Sequence, residues 1–144
     1  MTSEDSLPFV SVIVPCRNEA RHIRACIDSI LGGDYPPGRL EVIVADGMSD
    51  DGTREILGAY EAASIEAAPD APGGPVRTAV RLLDNPRRIT PCGLNVAVRA
   101  ARGEVVVRMD AHAAYPPDYV RRLVAALVES GDEVVGARLS LIHI

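Results

Sequence analysis

The sequence predicts an α/β fold with three layers, in which helices cover both faces of a mostly parallel sheet. Short apolar runs rich in β-branched residues alternate with segments whose apolar residues repeat at intervals of three and four. The apolar runs are nearly continuous, as burial on both faces of a parallel sheet requires. The chain has 144 residues, which is enough for one domain with a real core.

The first strand is predicted at residues 9–15, where the run FVSVIVP ends in a proline. Asn18 is expected to cap the helix that follows, and Gly32 with Gly33 to end it. Between these limits, five apolar residues repeat at helical spacing: Ile23, Cys26, Ile27, Ile30 and Leu31. This segment therefore predicts a helix with one buried face.

The second strand is predicted at residues 40–45 (LEVIVA), followed by a polar turn at 46–52. Thr53 or Asp51 is expected to cap a second helix that runs to about Ala63. A loop rich in proline and glycine follows at residues 69–75 and is too short to separate two domains.

The alternation continues to the end of the chain. A third strand is predicted at residues 76–84 and a third helix at 89–102, which tolerates Pro91 in its first turn. The remaining predicted elements are a fourth strand at 104–109, a fourth helix at 119–129 and a fifth strand at 133–139.

Composition argues against several classes of partner. Hydrophobic residues make up 47% of the chain and charged residues 24%, values typical of a globular protein. The net charge of −5 disfavours a general nucleic-acid-binding surface. Aromatic residues are only 3%, which leaves few platforms for base stacking. We therefore expect no nucleic-acid partner.

The sequence also indicates a compartment. The three cysteines form no C-x-x-C pair, which favours ordinary thiols over disulfides or a zinc site. The acidic, polar start differs from a signal peptide, and no apolar run approaches the roughly 18 residues that span a bilayer. We expect a cytoplasmic protein.

Polar residues follow each of the first four strands, and parallel strands bring such residues to one edge of a sheet. Asp110 ends the apolar run VVVRM, and His112 lies two residues later; both are plausible ligands of one metal ion. Arginines pair with phosphate oxygens. The edge therefore predicts a site for a phosphate-bearing ligand and a divalent cation. Its residues, loop by loop, are Pro15, Arg17, Asn18 and Glu19; Asp46, Ser49 and Asp51; Asn85, Arg87 and Arg88; Asp110 and His112.

Two common nucleotide motifs are absent from the sequence. No G-x-G-x-x-G follows the first strand, and there is no G-x-x-x-x-G-K-[ST]. Ordinary dinucleotide-binding and P-loop interpretations lose support for this reason.

Three segments, in order, resemble the family 2 glycosyltransferases. VSVIVPCRNEARHIRACIDSIL resembles the opening strand, P-x-x-N-E loop and first helix of that family. LEVIVADGMSDDGT resembles its second strand and acidic turn, and GLNVAVRAARGEVVVRMDAH resembles its Asn-bearing helix, A-x-G-E segment and D-x-D-type motif. The region around DAHAAYPPDYV looks most like transferases that build bacterial exopolysaccharides of the succinoglycan type.

This resemblance implies a Rossmann-like GT-A fold whose N-terminal part binds a nucleotide-diphosphate sugar of the UDP or GDP type. It also implies a divalent cation, Mn²⁺ or Mg²⁺, and a glycan or lipid-linked acceptor. Asp110 and His112 would be the metal ligands. The implied nucleotide-binding residues are Pro15, Arg17, Asn18, Glu19, Asp46, Arg88 and Asp110, with Arg88 (or Arg87) facing the diphosphate.

The chain departs from the family pattern at two positions. Gly47 stands where many members carry a second Asp that contacts the base, and His112 replaces the last acid of Asp-x-Asp. An imidazole favours Mn²⁺ somewhat over Mg²⁺, which prefers oxygen ligands.

Family chemistry is inverting, and its general base lies in a segment beyond the donor-binding half. We therefore expect a truncated chain that is inactive alone, with an unidentified catalytic base. Residues 1–8 are expected to form a flexible N-terminus, 9–139 the donor-binding domain without its acceptor half, and 140–144 a tail. The resemblance is compatible with a full-length protein that associates with the inner face of the plasma membrane.

Two other functions stay open at this point: a non-catalytic nucleotide-binding or scaffold module, and a nucleotidyltransferase. The second would normally need a glycine-rich loop after the first strand, which PCRNEA lacks. Ser49 and Asp51 are expected to be turn formers, because such side chains bond to their own backbone.

Overall fold

The structure, a computed structural model, describes residues 6–66 and 77–131. Strands and helices alternate through this part of the chain as predicted. The strands are β1 (Val10–Cys16), β2 (Leu40–Asp46), β3 (Ala79–Asp84) and β4 (Val105–Arg108). The helices are α1 (Ile23–Leu31), α2 (Thr53–Glu66), α3 (Thr90–Ala100) and α4 (Tyr119–Ser130).

The four strands form one parallel sheet in the order β3-β2-β1-β4. Cys16 pairs with Asp46, and Asp46 pairs with Asp84, so three strands end in register. Between β1 and β4 the order of the strands reverses, which opens a crevice at their carboxyl ends. The topology therefore places the candidate site there.

Both faces of the sheet are covered. The larger core cluster includes Val12, Val14 and Val107 from the sheet together with Ile27 of α1 and Val124 of α4. On the other face, Ala97 of α3 lies in a smaller cluster with the sheet residues Ile13, Ile43 and Ala45. This confirms the expected three-layer α/β arrangement.

The predicted boundaries differ from the observed ones by a few residues. Strand β3 begins three residues later than predicted, and α2 continues to Glu66, three residues past Ala63. Of the two caps expected for α2, Asp51 accepts a hydrogen bond from the Thr53 backbone N–H at 3.1 Å. The predicted loop at 69–75 and fifth strand at 133–139 lie outside the described residues.

One helix cap was predicted wrongly. Helix α1 begins at Ile23 after His22, five residues beyond Asn18. Asn18 has a left-handed backbone (φ 53°), and its amide oxygen accepts the Asp50 N–H at 3.0 Å. Asn18 is therefore bonded to the turn after β2, which keeps the intervening residues out of the helix.

At the amino edge of the sheet, a buried carboxylate fixes the entry to β4. Glu41 accepts hydrogen bonds from the Ser11 hydroxyl at 2.6 Å and from the Arg102 backbone N–H at 2.8 Å. The next residue, Gly103, approaches β1 so closely that an added Cβ would lie 2.6 Å from the Ser11 backbone nitrogen. The glycine of the A-x-G-E segment is required by this approach.

Candidate functional site

A cleft of about 280 Å³ lies at the carboxyl edge of the sheet, at the crevice between β1 and β4. The loops after β1 and β4 supply most of its walls, and the segment between β3 and α3 supplies the rest. Its lining residues are Pro15, Cys16, Arg17, Glu19, Asn85, Arg88, Ile89, Thr90, Arg108, Asp110, Ala111 and His112.

One end of the cleft carries ionisable groups that can hold a cation. The carboxylate of Glu19 lies 3.8 Å from Nδ1 of His112, and Arg108 Nη2 lies 3.9 Å from the carboxylate of Asp110. The Asp110 side chain is 37% exposed and that of His112 53%, so a ligand in the cleft can reach both.

The backbone of Asp110 is held from behind the cleft. Its N–H donates to the hydroxyl of buried Tyr115 at 2.6 Å, and its carbonyl faces the Cys26 thiol at 3.4 Å. The Tyr115 N–H in turn donates to the Ser29 hydroxyl at 3.0 Å. These contacts connect the loop after β4 to α1 and fix where the Asp110 side chain begins.

The loop after β1 is bonded to the turn after β2. Its backbone N–H groups donate at 2.7 Å, 3.0 Å and 3.2 Å to side-chain oxygens of that turn and of the first residue of α2. The three pairs are Asn18 with Ser49, Glu19 with Thr53, and Ala20 with Asp51. Ser49 and Asp51 act as turn formers, and the bonds place Glu19 in the cleft.

Asp46 lies beneath this turn rather than in the cleft. Its side chain is fully buried and accepts hydrogen bonds from Arg54 Nη1 at 2.8 Å and from the Ser49 N–H and hydroxyl at 2.9 Å and 2.5 Å. The Cys16 thiol is 3.4 Å from the same carboxylate. Arg54 also pairs with Asp84 at the end of β3. Four donors from the protein thus already contact the Asp46 carboxylate.

Gly47 is buried between two arginines. A Cβ there would lie 3.1 Å from the Arg88 carbonyl oxygen and 3.2 Å from Cβ of Arg17. Many family members carry an Asp side chain at this position. In this chain the loops after β1 and β3 pack closely around Gly47 instead. The guanidinium groups of the two arginines can donate hydrogen bonds but cannot accept them.

Three residues other than glycine adopt left-handed backbone conformations within the described ranges: Asn18, Met48 and Arg88. Each lies in a different one of the loops that follow β1, β2 and β3. Asn tolerates this conformation, whereas Met and Arg are strained by it. Such strain concentrates at functional sites, because only a well-braced loop can hold it.

The cysteines near the cleft are protonated at neutral pH. Burial raises the pKa of the Cys16 thiol, and the negative charge of Asp46 adds to the effect. Burial and the charge of Asp110 raise the pKa of Cys26 to about 12. All three cysteines are free, as expected. A thiol that keeps its proton is a poor metal ligand.

The cleft residues supply only some of the ligands that a divalent cation needs. Among the described residues, no three carboxylate, imidazole or thiolate groups converge on one point. Asp110 and His112 supply two ligands of types that Mn²⁺ accepts. The diphosphate of a bound ligand can supply further oxygens, so the set suits an ion that binds together with its nucleotide.

The structure brings most of the predicted site residues together. Seven of them line the cleft: Pro15, Arg17, Glu19, Asn85, Arg88, Asp110 and His112. Asn18 and Asp46 instead support the turn beneath it. Arg108 lines the cleft without having been predicted as a site residue. It is the last residue of β4, and its place at the carboxyl end of a strand is the signal that could have identified it.

The sequence matches the family model described as glycosyl transferase family 2 over residues 11–141. The chain belongs to this family. It is 40% identical over 140 residues to the succinoglycan biosynthesis protein ExoA of Rhizobium meliloti, covering 95% of this chain and 37% of that protein. It is 27% identical to the glycosyltransferase AglE of Haloferax volcanii, covering 99% of this chain and 42% of that protein.

Solved structures give the same result for the fold. The mannosyltransferase PcManGT from Pyrobaculum calidifontis, in complex with GDP-Man and Mn²⁺, superposes with a TM-score of 0.73 at 36% identity, covering 94% of this chain and 36% of that one. TarS of S. aureus, in complex with UDP, gives a TM-score of 0.66 at 21% identity over 92% of this chain and 38% of that one. The fold is GT-A.

The chain thus spans about two fifths of the length of the relatives named above. In residues 6–66 and 77–131, no helix combines the length and the apolar character needed to cross a bilayer.

Proposed function

We propose that this chain is the donor-binding part of a metal-dependent, inverting glycosyltransferase that uses a nucleotide-diphosphate sugar. The observation that carries the proposal is the placement of Asp110 and His112 beside Arg108 and Arg88 in one cleft at the strand-order reversal. Carboxylate and imidazole hold a divalent cation, while guanidinium groups pair with phosphate. The 36% identity to an enzyme crystallised with GDP-Man and Mn²⁺ supports the same ligand class.

In this proposal the cleft binds and orients the leaving group. Asp110 and His112 would hold the cation, which would supply positive charge to stabilise the departing diphosphate. Arg88, or Arg87 next to it, contacts the diphosphate oxygens from the opposite wall. Tyr115 keeps Asp110 at the required position through the backbone N–H.

The nucleoside half occupies the β1 side of the cleft. Pro15, Arg17 and Glu19 contact it directly, since all three line the cleft. Asn18 and Asp46 contribute from beneath by fixing the turn that carries these loops. This assigns a supporting role to two residues that the resemblance places in the pocket.

The acceptor, a polysaccharide or lipid-linked glycan, contacts parts of the enzyme outside the donor cleft. None of the cleft residues is assigned as the general base. Because the chain spans about two fifths of its relatives, we expect it to bind donor without appreciable transfer. We place the enzyme on the cytoplasmic side.

Calorimetric titration of the 144-residue chain with GDP, UDP and GDP-mannose, with and without Mn²⁺, tests the proposal. We expect binding that strengthens at least tenfold with Mn²⁺ and that is lost in Asp110→Ala. Glu55→Ala, at an exposed acid in the first turn of α2, is the control and should bind as the wild type does.

The same titration separates the alternatives. Nucleotide binding that is equally tight without the metal and unaffected by Asp110→Ala favours a non-catalytic nucleotide-binding module. Absence of nucleotide binding under all conditions contradicts the proposal and leaves a scaffold role. A nucleotidyltransferase is disfavoured by the family match and by the absence of a glycine-rich loop after β1.

A further inference from the structure

Strand β4 forms one edge of the sheet. It pairs with β1 on one side, and no strand lies on its other side in the part of the chain that the structure describes. The N–H groups of Val105 and Met109 donate toward β1, to carbonyl oxygens at 3.3 Å and 3.0 Å. Because successive N–H groups of a strand point in opposite directions, those of Val106 and Arg108 point away from β1. This outer edge offers hydrogen-bonding groups to a further strand.

The opposite edge of the sheet, at β3, is closed by side chains. The Val80 N–H donates to the Ser64 hydroxyl at 3.2 Å, and the Leu82 N–H donates to the Glu61 carboxylate at 2.7 Å. Both acceptors belong to α2. Side chains that occupy an edge in this way prevent it from pairing with another strand. The outer side of β4 has no such cap among the described residues, so the two edges differ in their capacity to bind a strand.

The β4 edge is exposed and carries charges of both signs. Glu104 directly precedes β4 and is exposed, Val106 is 42% exposed, and the Arg108 side chain is 55% exposed. Val106 and Arg108 lie on the same face of the sheet, since they pair with Ser11 and Ile13, two residues apart on β1. An exposed valine thus lies between an acid and a base along an unpaired edge.

The charges of this edge are complementary to those of a second copy in one antiparallel register. When Val106 lies opposite Val106 of the second copy, each Glu104 lies opposite the other copy's Arg108. Opposite charges that face each other across two strands stabilise the pairing. A shift of two residues, which keeps the side chains on the same face, brings like charges together. It places Glu104 opposite Asp110 in one direction and Arg102 opposite Arg108 in the other.

We propose that two copies of this chain associate through their β4 edges as an antiparallel pair of strands, which joins their sheets into one. The Val106 N–H and carbonyl of each copy bond to those of the other, because both groups point outward. The Arg108 N–H donates to the Glu104 carbonyl of the second copy. The contact covers the two exposed valines and closes with an ion pair at each end. This inference is independent of the proposed function, although Arg108 also lines the cleft.

Sedimentation velocity of the 144-residue chain over a range of concentrations tests the interface. We expect a reversible equilibrium between monomer and dimer. Val106→Lys, which places two like charges on the two-fold axis, should weaken the dimer by about tenfold or more. Val128→Lys is the matched control, because Val128 is a 71% exposed valine on α4, which packs on the opposite face of the sheet. It should dimerise as the wild type does.

Charge reversal tests the register. Glu104→Arg and Arg108→Glu each place like charges opposite one another and should weaken the dimer by about tenfold. The variant that carries both substitutions restores opposite charges and should recover the wild-type dimer. Both side chains are exposed, so these variants keep the inference falsifiable even if Val106→Lys fails to fold.

Amide hydrogen exchange supplies the second readout. The N–H groups of Val106 and Arg108 should exchange slowly in the dimer and rapidly after dilution to the monomer. The inference is overturned if the wild type stays monomeric up to about 200 μM. It is also overturned if Val106→Lys dimerises as the wild type does, or if the double charge reversal fails to recover the dimer. Slow exchange of both N–H groups in the monomer overturns it as well, since a segment of the same chain would then occupy the edge.

Discussion

The hydroxyl of Tyr115 accepts a hydrogen bond from the backbone N–H of Asp110 at 2.6 Å. Tyr115 is 5% exposed and packs against the ring of Tyr119 with centroids 4.8 Å apart. A buried aromatic residue of the segment before α4 thus determines where the Asp110 side chain begins. Loss of the hydroxyl removes this acceptor from the Asp110 N–H.

Tyr115→Phe should lower both stability and ligand affinity. We expect the free energy of unfolding to fall by about 1–2 kcal/mol and Mn²⁺-dependent nucleotide binding to weaken several-fold, because the Asp110 backbone loses its support. Urea unfolding and calorimetry measure the two effects.

Tyr35→Phe is the matched control for this experiment. The Tyr35 hydroxyl is also buried and donates to the Pro8 carbonyl at 2.5 Å, away from the cleft. Tyr35→Phe should lower the free energy of unfolding by about as much as Tyr115→Phe does, and it should leave nucleotide affinity unchanged. Equal affinity losses in the two variants would contradict a specific role for Tyr115.

Gly103→Ala should be severely destabilising. Its Cβ would lie 2.6 Å and 2.8 Å from backbone atoms of Ser11 and Phe9, which belong to or adjoin β1 and cannot move aside cheaply. We expect a loss of more than about 3 kcal/mol in the free energy of unfolding, or failure to fold.

Gly58→Ala provides the opposite expectation within the same chain. Nothing lies within 4 Å of a Cβ at this position in α2, and alanine favours a helix interior. The free energy of unfolding of Gly58→Ala should therefore rise by up to about 1 kcal/mol. Chemical denaturation of both variants checks the pair, and a mild Gly103→Ala would show that β1 and β4 are packed less closely than described.

Arg54→Met should destabilise the turn after β2. The substitution keeps most of the apolar stem but removes the guanidinium that pairs with the buried Asp46 and with Asp84. We expect the free energy of unfolding to fall by about 2–3 kcal/mol. This is less than the cost of breaking a fully buried ion pair, because the Arg54 side chain is 30% exposed.

The exposed pair of Arg122 and Asp118 serves as the comparison for Arg54. Asp118 directly precedes α4, and its carboxylate lies 3.6 Å from the guanidinium of Arg122, one turn further on. Arg122→Met should lower the free energy of unfolding by less than about 0.5 kcal/mol. If thermal or urea unfolding finds the two arginine variants equally stable, the contacts of Arg54 with Asp46 and Asp84 do not stabilise the turn.

Stability should fall in alkali. The pKa of Cys26 is raised from 9.0 to about 12 and that of Tyr115 from 10.0 to about 12, in both cases chiefly by burial. The folded chain therefore keeps protons that the unfolded chain loses, so the free energy of unfolding declines as pH rises from about 9 toward 12. Below about pH 8 these two groups contribute no appreciable pH dependence, because both keep their protons in the folded and the unfolded chain.

Urea unfolding at a series of pH values from about 8 to 10.5 measures this decline. Cys26→Ala should make the curve flatter between pH 9 and 10, where the thiol rather than the tyrosine ionises in the unfolded chain. A wild-type curve that stays level up to pH 10.5 would contradict the burial of these groups.

The alternation of strands and helices could be predicted because each described strand is an apolar run and each helix has a buried stripe. The start of α1 could not be predicted in this way. Asn18 has the chemistry of a helix cap, but its oxygen is used by Asp50, which lies 32 residues away. Local preference was overridden by a contact that forms only after β2 is placed beside β1.

The same limit applies to the candidate site. The rule that strand ends meet at one edge identified Asp110, His112 and Glu19 as neighbours, and the structure places all three in the cleft. It could not show that Asp46, the last residue of β2, lies buried beneath the turn that follows it. The donors around its carboxylate come from Cys16, Ser49 and Arg54, which only the fold brings together.

The central claim is that Asp110 and His112 hold a divalent cation together with a nucleotide. The most direct test is a ¹⁵N-resolved NMR spectrum of the chain with GDP or UDP as Mn²⁺ is added, because the paramagnetic ion broadens only nearby amide signals. The account predicts that signals of Asp110, Ala111, His112 and Glu19 disappear first, while those of α2 beyond Tyr60 persist. Broadening centred elsewhere, or none in the presence of nucleotide, would contradict it.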